Sequence, residues 1–377
     1  MTPQVTPQPT ADSVSDESIP RRVLVLGLAD EAEEMAAALR RLGMAVAVAA
    51  DPDPEQLASI CEQFTPDVVV PVGAIYDVGV LDLLEDLGAR VAPSKAAVSM
   101  AGRRDEQLRF ASDSLGLPVA RYATARSSVE VEQATGVLGY PCVVTPARAD
   151  SGMSSIVESA GDIPAAYGRA GSRDVVVETK VTADVEIVML AVSGVQFSGG
   201  SREPVIHFCE PIGVARKGNG AIREMWQPQE TTEGEYDAAR SVAARVVRAL
   251  GGRGVFAVRL LVRRGDVYFA GLEIGPAAAG VLTVSSQMFD QWALHARAIV
   301  GAPSEVTMTS PAAGAALDRA LSVGLVGRAL DVSESALWIC ERTSEFSPWQ
   351  CGAALATADE VLQARERARE VASRALP

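Results

Sequence analysis

An arginine and a glutamate occur where two adjacent strands would place them on one face. The stretch from Gly254 to Gly280, GVFAVRLLVRRGDVYFAGLEIGPAAAG, predicts two strands around a tight turn at 264–266. Alternate residues of a strand share a face, so Arg259 and Glu273 fall on the same inward side. Two acids there would bind a metal ion, whereas an arginine and an acid form an ion pair. We therefore predict an Arg259–Glu273 ion pair; the alternative is that Arg259 extends into solvent.

These strands require a scaffold, and the start of the chain indicates its type. Residues 1–20 are rich in Pro, Thr, Ser and Asp and are expected to form a disordered tail. The apolar runs at 23–26, 45–49 and 68–71, with a helical segment at 32–42, alternate in the manner of a parallel sheet. The sequence therefore predicts an α/β protein that opens with a three-layer domain.

Composition excludes several classes of protein. The chain has 377 residues, 48% of them hydrophobic, and a formal charge of −14. This charge argues against binding to nucleic acid or to an anionic membrane surface, because both need a cationic patch. Five cysteines without metal-site spacing indicate reduced thiols and a cytoplasmic location. Only three lysines occur beside 31 arginines, so few lysines exist to bind phosphate.

The turn after the first strand does not fit a dinucleotide site. Such a site needs several glycines that let backbone amides approach a pyrophosphate. Here Gly27 is followed by an acidic run that includes Asp30 and Glu31. The acids favour a helix start, where they interact well with the helix dipole.

Four segments together resemble formate-dependent glycinamide ribonucleotide transformylase, an ATP-grasp enzyme of purine synthesis. They are 207–229, 254–280, 280–303 and 351–358. The resemblance implies an ATP-grasp architecture and a homodimer. Its implied parts are a tail (1–20), an N-terminal α/β domain (21–112), an ATP-grasp domain (113–305) and a small C-terminal domain (306–377).

The resemblance also implies a nucleotide site for ATP or ADP. VVVETKV at 175–181 matches the strand that brackets adenine, and Glu186 stands where a ribose-binding glutamate is expected. The alternative is that Glu178 and Glu186 are exposed strand carboxylates. The implied nucleotide contacts are Arg104, Ser151, Gly152, Glu178, Val181 and Glu186.

The chain departs from the family where charge is needed for catalysis. The two magnesium-binding glutamates correspond to Arg259 and Gly271, or to Glu273 if the second is shifted by two residues; Glu273 and Asp266 are the oxygen ligands available for a rebuilt metal site. The phosphate-binding lysines and the substrate-phosphate arginines are replaced by Thr145, Met153, Trp349 and Gln350. On the substrate side Asp30 replaces a glutamate and Arg342 stands in for a lysine.

Two hypotheses follow. The first is a repurposed ATP-grasp protein without Mg-ATP catalysis, which binds an adenine nucleotide or small metabolite and serves as partner of a related enzyme. The second is an active ligase or formyltransferase that makes an acyl phosphate and transfers the acyl group to a small amine other than glycinamide ribonucleotide. Phosphoryl transfer depends on charge neutralisation by metal and cationic groups. The chain departs from the family at the metal-binding pair, at the first lysine (Thr145) and at the loop lysine (Met153). These three departures favour the first hypothesis and argue against a role for magnesium.

Overall fold

The computed structural model describes residues 20–27, 29–50, 52–73, 78–340 and 351–376. Within them the chain forms three sheets with helices packed on their faces. Almost all of the predicted tail lies outside the described residues, as do Arg342, Trp349 and Gln350. None of the described helices is long and apolar enough to cross a membrane.

The first sheet is parallel, with strand order β2-β1-β3-β4, as the strand-helix alternation predicts. Val23, Leu24, Val25 and Leu26 are all 0% exposed, because helices cover both faces of a parallel sheet. Its elements are β1 Arg22–Gly27, α1 Ala29–Arg41, β2 Ala45–Ala49, α2 Pro54–Phe64, β3 Val68–Val72, α3 Val78–Asp86, β4 Arg90–Val91 and α4 Lys95–Met100.

A second, antiparallel sheet of four strands follows in the order β5-β8-β6-β7. Helix α5 (Arg104–Arg109), which runs on into a π-helical turn at Phe110–Ser114, leads into it. Its elements are β5 Tyr122–Ala125, α6 Ser128–Leu138, β6 Cys142–Pro146, β7 Ser155–Val157, a 3-10 turn at Ala160–Asp162, α7 Ile163–Arg169 and β8 Val175–Thr179.

The third sheet has nine strands in the order β14-β13-β9-β11-β12-β15-β17-β16, with β10 also paired to β9. The sheet includes strands from both sides of the domain boundary predicted between residues 305 and 306, because β12 pairs with β15. Its strands are β9 Val185–Ser198, β10 Ser201–Phe208, β11 Ile212–Arg216, β12 Ile222–Gln227, β13 Gly254–Arg263, β14 Asp266–Ile274, β15 Ala312–Ala316, β16 Ser335–Ile339 and β17 Gly352–Thr357. The helices of this part are α8 Glu233–Leu250, a 3-10 turn at Ala279–Leu282, α9 Thr283–Ser286, α10 Gln291–Ile299, α11 Val323–Ala329 and α12 Val361–Arg374.

The predicted hairpin of β13 and β14 is confirmed. Arg263 pairs with Asp266, so the turn consists of Arg264 and Gly265. Both have positive φ angles, of 53° and 86°, which is the backbone that a two-residue hairpin favours. The hairpin lies against β9, and this neighbour decides which side chains surround Arg259.

Candidate ligand-binding cleft

A cleft of about 400 Å³ opens where the three sheets meet. The first sheet contributes Glu31 of α1 and Gly73 after β3. The small sheet contributes Thr145 and the loop that follows it, and the large sheet contributes side chains of β11, β13 and β14. Its charged lining groups are Glu31, Arg104, Arg216, Arg259 and Glu273.

Two of the arginines that line the cleft hold one glutamate on the strand between them. Strand β9 lies between β11 and β13, which places Arg216, Glu186 and Arg259 side by side on one face. Both Nε and Nη2 of Arg216 lie 2.8 Å from Glu186 Oε1, and Arg259 Nε lies 3.2 Å from the same oxygen. Burial alone would raise the pKa of Glu186, but the charges of Arg259 and Arg216 outweigh it and hold that pKa below its usual value. We call these three residues the arginine-clamped glutamate.

The predicted partner of Arg259 is therefore wrong, although the predicted face is right. Ala257 pairs with Glu273, so Glu273 and Arg259 share a face of the hairpin. Arg259 nevertheless contacts Glu186 of β9, and Glu273 accepts a hydrogen bond from the Ala278 amide at 3.1 Å. The alternative of an arginine extended into solvent also fails, because the Arg259 side chain is 30% exposed and ion-paired.

Gly271 leaves space directly opposite Arg259. A Cβ atom at this position would lie 3.4 Å from Arg104 Nη1 and 3.5 Å from Arg259 Nη1. Two guanidinium groups therefore border the place where the resemblance puts a metal-binding carboxylate. A cation there would meet positive charge.

Arg104 and Glu178, two of the predicted nucleotide contacts, bind each other. Arg104 Nε donates to Glu178 Oε1 at 2.8 Å, Nη2 donates to Oε2, and Nη1 donates to the Ala270 carbonyl at 2.6 Å. Glu178 is 7% exposed, so its interpretation as an exposed strand carboxylate is wrong. The same holds for Glu186, whose side chain is 14% exposed. In this arrangement a nucleotide must break the Arg104–Glu178 pair before it can use both residues.

The loop expected to bind phosphate is occupied by its own contacts. Ser151 Oγ donates to the Arg148 carbonyl at 2.7 Å, and the Met153 amide donates to the Arg169 carbonyl at 2.9 Å. A Cβ on Gly152 would come within 2.5 Å of the Ala170 backbone, so close packing is enough to require this glycine. The hydroxyl of Ser154 donates to the Thr145 hydroxyl at 3.2 Å, so neutral groups lie where the resemblance places the first lysine, and Met153 stands in place of the second.

Val181 follows β8, and its carbonyl accepts the Ala183 amide at 3.1 Å. Its predicted contact with adenine stays a prediction, because this local bond neither provides nor excludes it.

The acidic side of the cleft contains a residue that the sequence analysis did not select. Glu31 lines the cleft, whereas its neighbour Asp30 does not. Burial, and then the nearby charges of Glu273 and Asp30, raise the pKa of Glu31 from 4.5 to about 7. Acids in the first turn of a helix are ordinary, so the sequence carried no signal that separates Glu31 from its neighbours.

Glu273 lacks the companions of a metal ligand. No group of three or more His, Cys, Asp or Glu side chains suited to a metal occurs in the part of the chain that the structure describes. Asp266 is exposed at the hairpin turn, seven residues along the strand from Glu273. This separation corresponds to about 23 Å, so both cannot bind one ion.

Comparison with known proteins shows the family to which the chain belongs. The ATP-grasp domain family matches residues 110–292. A formate-dependent phosphoribosylglycinamide formyltransferase of Corynebacterium glutamicum is 34% identical over 92% of both chains, and one of Rhodococcus jostii is 36% identical over 94% of this chain and 95% of its own.

Two solved structures extend the comparison. The glycinamide transformylase T of Mycobacterium tuberculosis has a TM-score of 0.77 and 35% identity, and the match covers 94% of this chain and all of that one. An N5-carboxyaminoimidazole ribonucleotide synthetase solved as an ADP complex has a TM-score of 0.81 over 94% of this chain and 97% of its own; at 20% identity it supports the fold alone. The chain belongs to the formate-dependent phosphoribosylglycinamide formyltransferase family of ATP-grasp proteins.

Proposed function

We propose that this protein is a repurposed member of its family that binds a small metabolite or an adenine nucleotide without magnesium-dependent phosphoryl transfer. The observation that carries the proposal is the arginine-clamped glutamate, in which Arg259 stands at a position where the family has a magnesium-binding glutamate. The cleft is otherwise a normal concave site of about 400 Å³, large enough for a small ligand.

Charge is the physical reason. At an effective dielectric constant near 20, two unit charges 4 Å apart interact by about 4 kcal/mol, so the pairwise repulsion between a divalent ion and a guanidinium at that distance is about 8 kcal/mol. Glu186 offsets part of this repulsion, but it is shared with Arg216. A fixed guanidinium attracts an anion without a metal.

Relatives with bound nucleotide make ADP and ATP the first ligands to test. Two structures of similar fold, an N5-carboxyaminoimidazole ribonucleotide synthetase and a carboxyaminoimidazole ribonucleotide synthase, are complexes with ADP and with ATP. In this chain the Arg104–Glu178 pair must open before a nucleotide can use both side chains, which subtracts from its binding energy. We expect weak binding of ADP and ATP in calorimetric titrations, with the Kd changed less than about threefold by magnesium. Tight ATP binding that requires magnesium would contradict the proposal.

A substitution tests the same point from the other direction. Arg259→Glu restores the family's acid but places it near Glu186 and Glu273. We expect the free energy of unfolding to fall by about 2 kcal/mol, since three carboxylates then share a partly buried site, and to recover in part when magnesium is added. Chemical unfolding with and without magnesium measures this; Arg263→Gln, on an exposed residue of the same strand, is the control.

An active enzyme is the second candidate, because identity to named formyltransferases extends over more than nine-tenths of the chain. It would form an acyl phosphate and transfer the acyl group to a small amine other than glycinamide ribonucleotide. Release of ADP that depends on formate and on an added amine would favour this candidate.

Cellular context follows from the same family membership. We propose a cytoplasmic homodimer that works beside a related enzyme. Light scattering after gel filtration tests the dimer, and co-purification from the native host tests the partner.

A further inference from the structure

We propose that the cleft binds a small amino carboxylate, with its carboxylate on the outer nitrogens of Arg259 and its ammonium beside Glu31 and Glu273. This ligand class rests on the proposed function, since it uses the cleft without a metal ion. The observation behind it is that one cleft is lined by a guanidinium whose outer nitrogens are available and by two carboxylates, one of them its diagonal neighbour on the hairpin.

Of the three arginines that line the cleft, Arg259 is the one with side-chain nitrogens that donate no hydrogen bond within the described residues. Its Nε faces Glu186, while Nη1 and Nη2 have no acceptor within the described part of the chain. By contrast, all three nitrogens of Arg104 have acceptors, and Arg216 uses Nη1 on the Gly220 carbonyl and its other two nitrogens on Glu186. The two outer nitrogens of a guanidinium match the two oxygens of a carboxylate, and the absent side chain at Gly271 leaves room beside them.

Glu31 and Glu273 supply the opposite charge. Among the described residues, Glu31 makes no hydrogen bond, and Glu273 uses one oxygen on the Ala278 amide. The negative charge of Glu273 disfavours ionisation of Glu31, so ionised Glu31 sits in the cleft at a cost in free energy. An ammonium group between them would remove this repulsion and give both carboxylates a donor.

The spacing selects the size of the ligand. Arg259 pairs with Gly271, so Glu273 is its diagonal neighbour across the hairpin. Diagonal neighbours are about 7–8 Å apart, and both side chains extend into the cleft, so the two charged ends of the ligand must be only a few ångströms apart. Glycine, β-alanine and 4-aminobutyrate cover this range.

Charge balance excludes the simpler ligand classes. A cation without a carboxylate would be repelled by the guanidinium groups of Arg216 and Arg259. A dianion would be repelled by Glu273 and by ionised Glu31. A molecule with one charge of each sign is the class that satisfies both sides.

The test is calorimetric titration of the full chain, without nucleotide or metal, with glycine, β-alanine and 4-aminobutyrate. For the best of these, the analogue without its amine and the analogue without its carboxylate are titrated in parallel; for β-alanine they are propionate and ethylammonium. We expect at least about tenfold weaker binding of either analogue, and similar losses for Glu273→Gln and Arg259→Gln. The controls Glu33→Gln, on the exposed side of α1, and Arg263→Gln should bind as the parent does.

Each outcome decides a separate point. Equal binding of propionate would overturn the amino carboxylate and leave a plain anion site, with the proposed function intact. No binding of any of the three amino acids to the folded protein, as judged by its circular dichroism, would also overturn it. Magnesium-dependent ATP turnover would refute the proposed function instead, whichever amino acid binds.

Discussion

Two glutamates of this molecule are each held by two arginines, and their differences separate a structural contact from a binding site. Glu224 of β12 is 5% exposed and binds Arg365 and Arg369 of the last helix. Both of its oxygens accept bonds, at 2.8 to 3.3 Å, and the Arg365 guanidinium lies 3.9 Å from the centre of the Trp226 ring. This cluster fixes α12 to the large sheet.

Glu186 is also held by two arginines, but one of its carboxylate oxygens accepts no hydrogen bond from the described residues. Within the described residues all of its contacts fall on Oε1, so Oε2 is left over together with the outer nitrogens of Arg259. The cluster around Glu224 can only hold the fold together, because its carboxylate has no oxygen left for a ligand. The arginine-clamped glutamate holds neighbouring strands together and still presents donors to a cleft.

The largest expected effect is the loss of stability when Glu224, whose two oxygens both accept hydrogen bonds, is replaced. Glu224→Gln should lower the free energy of unfolding by about 3 kcal/mol, because two arginines lose a buried counter-charge. Glu186→Gln should cost about 1 kcal/mol, since a glutamine oxygen in the place of Oε1 can still accept from Arg216 and Arg259, whereas both oxygens of Glu224 are bonded to its arginines. Urea unfolding measures both, with Glu366→Gln on the exposed side of α12 as control. An equal or larger loss for Glu186→Gln would mean that the two clusters do the same structural work.

The second prediction uses Glu31, an acid of the same cleft without an arginine partner. Its pKa is raised to about 7 by burial, with Glu273 and Asp30 adding to the effect. The folded state then binds more protons than the unfolded state between pH 4.5 and 7, so the stability that protonated Glu31 contributes is complete below pH 4.5 and is lost as the pH rises to about 7. The loss should be about 2 kcal/mol, allowing for partial exposure.

Measuring this effect requires unfolding free energies at several pH values between 4.5 and 7.5. Glu31→Gln should remove this contribution, so that its stability falls less, or rises more, with pH than that of the parent, and Glu33→Gln should leave the parent profile unchanged. The titratable neighbours of Glu31 are Glu273, Asp30 and the Cys340 thiol; burial raises the pKa of this thiol to about 11, so it stays neutral throughout this range. Glu186 and Glu224, whose pKa values are lowered, contribute stability that is lost only as the pH falls below about 4.5. Burial lowers the pKa of His295 to about 3, so this residue adds a slope of the opposite sign up to about pH 6.5, and the Glu31 effect is read from the difference between the parent and Glu31→Gln. Identical pH profiles for the parent and Glu31→Gln would contradict the assignment.

The fold was largely predictable because its signals are local. Four fully apolar residues at 23–26 indicate a strand buried on both faces, and the turn at Arg264 and Gly265 follows from hairpin chemistry. Strand periodicity also placed Arg259 on the correct face. Each of these inferences needs only neighbours along the chain.

The contacts of the cleft could not be predicted in the same way. The partner of Arg259 comes from β9, about seventy residues earlier, and which strand lies beside β13 is decided by the whole sheet. Arg216 follows a register shift in β11, so counting alternate residues does not give its position. Arg104 and Glu178 each resembled a ligand contact, and only the packing of α5 against β8 brings them together.

The smallest expected effect concerns Gly271, which lies opposite Arg259 and leaves space beside its outer nitrogens. Its φ angle of 153° lies in a range that side chains rarely adopt, so Gly271→Ala should cost about 1 kcal/mol through the backbone alone. The new methyl group meets only ordinary contacts, at 3.4 Å from Arg104 and 3.5 Å from Arg259. Gly136→Ala, on helix α6 with open space around it, should instead be neutral or stabilising. If Gly271→Ala costs nothing in thermal unfolding but weakens β-alanine binding, the glycine serves to leave room for a ligand; a stability loss with unchanged binding would show that the backbone alone requires it.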